Sequence, residues 1–123
     1  MRRLAIRLVL FAVAHVLVLP VFSQYQTVEI RRPFRAHSLA GVVVDPNGAP
    51  MPGAVVEERD PTFNQVLSST TTDAKGHFTF QYAQIGSTYY LQAKCHGFNP
   101  TRITVKLRHF ARAEMRIKLW IAT

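Results

Sequence analysis

Cysteine is nearly missing from this sequence: Cys95 is the one thiol in 123 residues. A single thiol excludes an intramolecular disulfide, and no second ligand set stands near it at zinc spacing. An exported chain so poor in cysteine fits a bacterial envelope or secretome better than a disulfide-stapled domain. Catalytic motifs are missing as well. There is no Gly-x-Ser-x-Gly, no His-Glu-x-x-His, no His-x-x-Glu zinc pair and no phosphate loop, so the chain is expected to be no enzyme and to carry no cofactor or metal. No Asn-x-Ser/Thr glycosylation acceptor exists either, since Asn99-Pro100-Thr101 is blocked by its proline. Stretches of helical period are lacking throughout the region beyond the leader.

Negative charge is scarce: seven Asp/Glu stand against fifteen Lys/Arg, for a formal charge of +8. Arg2, Arg3 and Arg7 sit at the extreme N-terminus, which leaves twelve cations against seven anions in the rest. That surplus favours anionic partners through long-range attraction and carries no information about fold.

The first 23 residues read as a signal peptide. Three arginines form a positive n-region, Leu8 to Leu19 form an apolar run broken only by His15, and Pro20 ends the helix. Val21-Phe22-Ser23 then offers a cleavage site before Gln24. Twelve apolar residues are too few to span a bilayer comfortably, so membrane contact is expected only through this transient leader. The product is expected in the periplasm, on the outer surface or in the medium. Residues 24–37 are polar and basic, with Arg31, Arg32 and Arg35, and read as a tether or an irregular first edge.

From Ser38 to Ile121 short β-rich runs alternate with turn chemistry. Leu39–Val44 precedes Asp45-Pro46-Asn47-Gly48, a turn in which Asp caps, Pro presets φ and Gly accepts a positive φ. Ala54–Glu58 and the Ser/Thr-rich Gln65–Thr72 follow. Asp73-Ala74-Lys75-Gly76 then reads as a hairpin loop. His77–Tyr82 places Phe78, Phe80 and Tyr82 on one face. Tyr89–Cys95 turns Tyr89, Leu91, Ala93 and Cys95 inward. Ile103, Val105 and Leu107 alternate with Arg102, Thr104, Lys106 and Arg108. The last run puts Met115, Ile117, Leu119 and Ile121 inward and Arg116, Lys118 and Trp120 outward. Seven such strands in about 100 residues make one all-β domain, a two-sheet sandwich with one wet face per sheet.

Three ordered blocks carry a more specific likeness. Gly41-Val42-Val43-Val44-Asp45-Pro46-Asn47-Gly48-Ala49-Pro50-Met51-Pro52-Gly53-Ala54-Val55-Val56 resembles the opening of carboxypeptidase regulatory-like domains. Thr72-Asp73-Ala74-Lys75-Gly76-His77-Phe78-Thr79-Phe80 is similar to their central hairpin, and Tyr89 to Phe98 to a later strand with its Gly-aromatic turn. The resemblance covers residues 38–121. It implies a transthyretin-like, immunoglobulin-like β-sandwich that is non-catalytic and serves as an accessory module of metallocarboxypeptidases, outer-membrane receptors and bacterial surface proteins. The chain is therefore expected to be a structural or protein-interaction module working through a protein partner, with carbohydrate binding as the alternative, because the resemblance extends to a wider starch-binding-like group of which some relatives bind carbohydrate.

Two sets of side chains are candidates for contact with a partner. Arg102, Lys106 and Arg108, with Arg116 and Lys118, would form one positive strip for an anionic partner if their two strands pair; the alternative is a solvated face with edge-protecting charges. Tyr90 and Trp120 point outward by parity and, with Phe63 and Phe110 in or near loops, are the candidate stacking rings for a polysaccharide. An exposed edge strand is a further route to a protein partner. Nucleic acid is not expected, because export removes the chain from it and no aromatics interleave with the basic row. Asp45, Asn47 and Asp73 sit where turns require them, which is a simpler role than calcium ligation. Cys95 and His96, as strand neighbours, point to opposite faces, and Cys95 is expected to be a small buried residue.

Overall fold

A computed structural model describes residues 25–123. The leader expected over residues 1–23 lies outside the described residues. Ten strands and no helix occur among them: β1 Val28–Ala36, β2 Ala40–Val44, β3 Val55–Arg59, β4 Val66–Thr71, β5 His77–Thr79, β6 Thr88–Lys94, β7 Phe98–Asn99, β8 Thr101–Leu107, β9 Met115–Lys118 and β10 Trp120–Ile121. Five of them form one sheet in the order β1-β8-β6-β3-β4, and three form a second, β5-β2-β9. β7 and β10 make a two-stranded ribbon at one end.

The strict alternation of β8, buried at Thr101, Ile103, Val105 and Leu107, shows why a sandwich forms: one face of each sheet must leave water. Leu39, Val43, Phe78, Phe80, Met115, Ile117 and Leu119 from the smaller sheet and its flanks meet Val56, Leu91, Ala93, Ile103, Val105 and Leu107 from the larger in one core cluster. Each fully buried Leu, Ile or Val contributes about 1.5–3 kcal/mol. Thr101 adds a polar tie, its hydroxyl donating to the Lys118 carbonyl at 3.0 Å.

Ten strands replace the expected seven because β1, β7 and β10 are added, and the structure departs from expectation at three places. The basic segment read as a tether or irregular edge is β1, which pairs in parallel with β8 from Val28 to Ala36, with a register shift between Ile30 and Phe34. Its inward residues are few, so alternation does not announce it. Second, β5 stops at Thr79, and Tyr82, expected to face inward, is 49% exposed. Third, the last run breaks in two at Leu119. The Leu119 amide donates to the Val44 carbonyl, and the chain then leaves the sheet to pair Trp120 with Asn99 and Ile121 with Phe98. Ile121, expected inward, is therefore 63% exposed.

The turns form as their residues dictate. Asp45 Oδ1 accepts from the amides of Asn47 and Ala49, and Asp73 Oδ1 from those of Lys75 and His77, all at 2.9 Å. Gly48 and Gly76 close both turns with positive φ. The Asp73 carboxyl is held below the usual carboxylate range, chiefly by the His77 amide.

Candidate functional site

The outer face of the five-stranded sheet carries the most organised polar side chains. Pairing register aligns Ser69, Glu57, Gln92, Arg102 and Glu29 in one row across all five strands. Arg102 Nε donates to Gln92 Oε1 at 3.0 Å, and its Nη1 lies 3.6 Å from Glu29. Glu57 is 6% exposed. Its two oxygens are taken by Arg59 at 2.6 Å and Lys94 at 3.2 Å. Burial works to raise its pKa, but the two cations and their hydrogen bonds outweigh it and hold the carboxyl below the ordinary range.

The loop between β3 and β4 folds over this row. Asp60 starts it by accepting from the Asn64 and Gln65 amides and from the Thr62 hydroxyl. Phe63 follows with φ 61°, unusual for a residue with a side chain. Arg59 Nη1 donates to the Phe63 carbonyl at 2.9 Å. The Phe63 ring then meets Tyr90 edge-on at 5.7 Å and receives the Arg102 guanidinium at 4.9 Å. With Glu57 paired to two cations, this arrangement fixes the outer surface of the sheet. Sequence reading singled out Phe63 as a loop ring but overlooked Glu57, Arg59 and Gln92. The available signal was a Glu and an Arg two apart in a strand, which must share a face.

The candidate residues distribute differently from expectation. The strip of Arg102, Lys106, Arg108, Arg116 and Lys118 does not form, because β8 lies between β1 and β6 while β9 pairs with β2 in the other sheet. Arg116 and Lys118 face outward there, and the Lys118 ammonium stands 5.1 Å from the centre of the Trp120 ring. Lys106 instead neighbours Arg35 of β1. Tyr90 and Trp120 are not brought together: Tyr90 lies on the outer face of the larger sheet against Phe63, and Trp120 beside Lys118 of the smaller one. Cys95 is partly buried against the core, and His96 is exposed.

Two other features stand apart from these. An open groove of about 750 Å³ on the smaller sheet is lined by His37, His77, His109, Arg112 and Glu114 among others. His37 Nδ1 is 3.0 Å from the His109 carbonyl, and His77 is 3.8 Å from Glu114. Among the described residues no three His, Cys, Asp or Glu are grouped to hold a metal ion. At the mouth between the sheets the Tyr82 hydroxyl donates to Glu58. Burial and the neighbouring carboxylate push the Tyr82 phenol up to about 12.

No curated protein matches the chain. The profile of the carboxypeptidase regulatory-like domain matches residues 38–119. That span runs from the residue before Leu39 to Leu119, the first and last core residues of the two-sheet sandwich apart from Ala36. The chain belongs to the carboxypeptidase regulatory-like domain family, whose domains are non-catalytic β-sandwich modules.

Proposed function

We propose that this protein is an exported, non-catalytic interaction module of the bacterial envelope, and that it takes up an extended segment of a partner protein along the free edge of β4. The leader pattern of residues 1–23 supports export. The carrying observation is a contrast between edges. β1 bears Arg31, Arg32, Arg35, Pro33 and a register shift, all of which resist pairing. β5 has three residues, and β9 carries Arg116 and Lys118. β4 has six residues, Val66-Leu67-Ser68-Ser69-Thr70-Thr71, with no charge, proline or glycine, and Leu67 is 58% exposed. An edge left so open is a template for strand addition.

The test places a photo-crosslinking residue at Leu67 in cells that make the full chain. An adduct with one partner protein, lost when Ser69→Lys and Thr71→Lys put charge on the edge, supports the reading. A self-adduct replaces it with a homodimer through β4. Absence of any adduct, or an adduct indifferent to the two lysines, overturns it.

A further inference from the structure

We propose that the corner where β1, the end of β8 and the following loop meet is a docking surface for the anionic phospholipid face of a membrane. Phe110 enters the interface there, and Arg35, Arg108 and Arg112 take lipid phosphates.

Phe110 is 88% exposed, and its one ring contact is with His109 at 4.9 Å. A phenylalanine exposed at that level leaves nearly its whole ring available for burial against an apolar partner, and it is the cationic rim around it that singles it out from scattered surface apolar residues. Arginines flank it two residues away on each side, at Arg108 and Arg112. Register brings Arg35 to the same corner beside Lys106, and Arg35, Arg108, Phe110 and Arg112 line one shallow depression of about 650 Å³. No acidic residue lines it. Among the described residues no carboxylate is within ion-pair distance of Arg35, Lys106, Arg108 or Arg112, while Glu29 is engaged by Arg102 and Glu114 faces His77.

Four cations without a counter-charge repel one another, so the corner favours an anionic partner. A second copy of the chain would present the same cations and be repelled. A hydrated acidic glycan matches the charge but has no apolar interior for Phe110. A bilayer surface supplies both, with phosphates at the depth of the guanidinium groups and an acyl boundary for the ring. The corner is distinct from the β4 edge, so it stands or falls separately from the strand-addition reading.

The core is closed within Ala36–Leu119, so residues 24–123 are the protein to test. Sedimentation with vesicles of phosphatidylglycerol mixed with phosphatidylcholine should show binding that weakens with salt, and vesicles of phosphatidylcholine alone should bind far less. Arg108→Gln and Arg112→Gln should each weaken binding about fivefold, and Phe110→Ser about tenfold. Lys118→Gln, beside Thr101 at the opposite end of β8, should leave binding within about twofold. In a second measurement, Phe110→Trp on a Trp120→Phe background should shift its emission to the blue when anionic vesicles are added. Failure to bind anionic vesicles overturns the proposal. So does binding that Phe110→Ser leaves unchanged, or an unshifted emission alongside retention on heparin, which would assign the corner to a soluble polyanion.

Discussion

Thr72 does with one hydroxyl what a strand pair does with two residues. It accepts from the Ala54 amide at 2.8 Å and donates to the Met51 carbonyl at 2.6 Å, tying the link between β2 and β3 to the hairpin that follows β4. Thr72 is buried, so Thr72→Val keeps the shape and strands both backbone groups. It should cost about 1–3 kcal/mol, read as a lower denaturation midpoint with an unchanged slope. Glu57 is the second residue with consequences. Its carboxyl titrates lower in the folded chain than in the unfolded one. Its stabilisation is therefore present above the unfolded value and is lost as pH falls through the folded value. Denaturation midpoints should drop on acidification below about pH 4. Glu57→Gln should lower stability at neutral pH by about 1–3 kcal/mol and flatten part of that acid dependence. A wild-type midpoint flat to acid would remove Glu57 from the account. None of this was legible from composition. The turn roles of Asp45 and Asp73 were, because Asx turns are local. The partners of Glu57 come from its own strand and from β6, and only register brings Lys94 to it.

β2 shows how one element depends on a missing side chain. It pairs with β5 on one side and in parallel with β9 on the other, with Gly41 opposite Met115. A Cβ on Gly41 would run into the Met115 carbonyl oxygen and crowd its Cβ. Gly41→Ala should therefore pry β9 from β2 and cost about 1–3 kcal/mol. Hydrogen exchange should accelerate in Met115–Lys118 and less in β6 and β8. Uniform acceleration would mean that the sheet opens as a unit. The interior strands were readable because their alternation is clean, β8 above all. The elements misread are those that alternation does not govern. β1 is an edge whose outward residues dominate, and β7 and β10 are two-residue strands made by pairing with each other. The expected basic strip failed at this scale too. Parity fixes which face a residue takes but not which sheet its strand joins, and parallel pairing of β2 with β9 is a long-range choice.

In the whole molecule the two ends of the described chain converge. The Gln26 amide donates to Asn99 Oδ1, the Tyr25 hydroxyl accepts from the Gly97 amide, and the Ala122 amide donates to the Gly97 carbonyl. Both ends are anchored on the Gly97–Asn99 segment, just before β8 begins at Thr101. Joining them by a short bridge and reopening the chain at Lys75, in an exposed turn, should yield a circular permutant with the same strands. Its circular dichroism spectrum should match, and its melting temperature should fall by only a few degrees. An unfolded permutant would show that β1 must be laid down from a free end. The Phe110 corner lies past the other end of β8, seven residues along or roughly 20 Å away. The two ends of the described chain therefore lie at the opposite end of β8 from the Phe110 corner, so a segment joined at either of them would start out on the far side of the sheet from that corner.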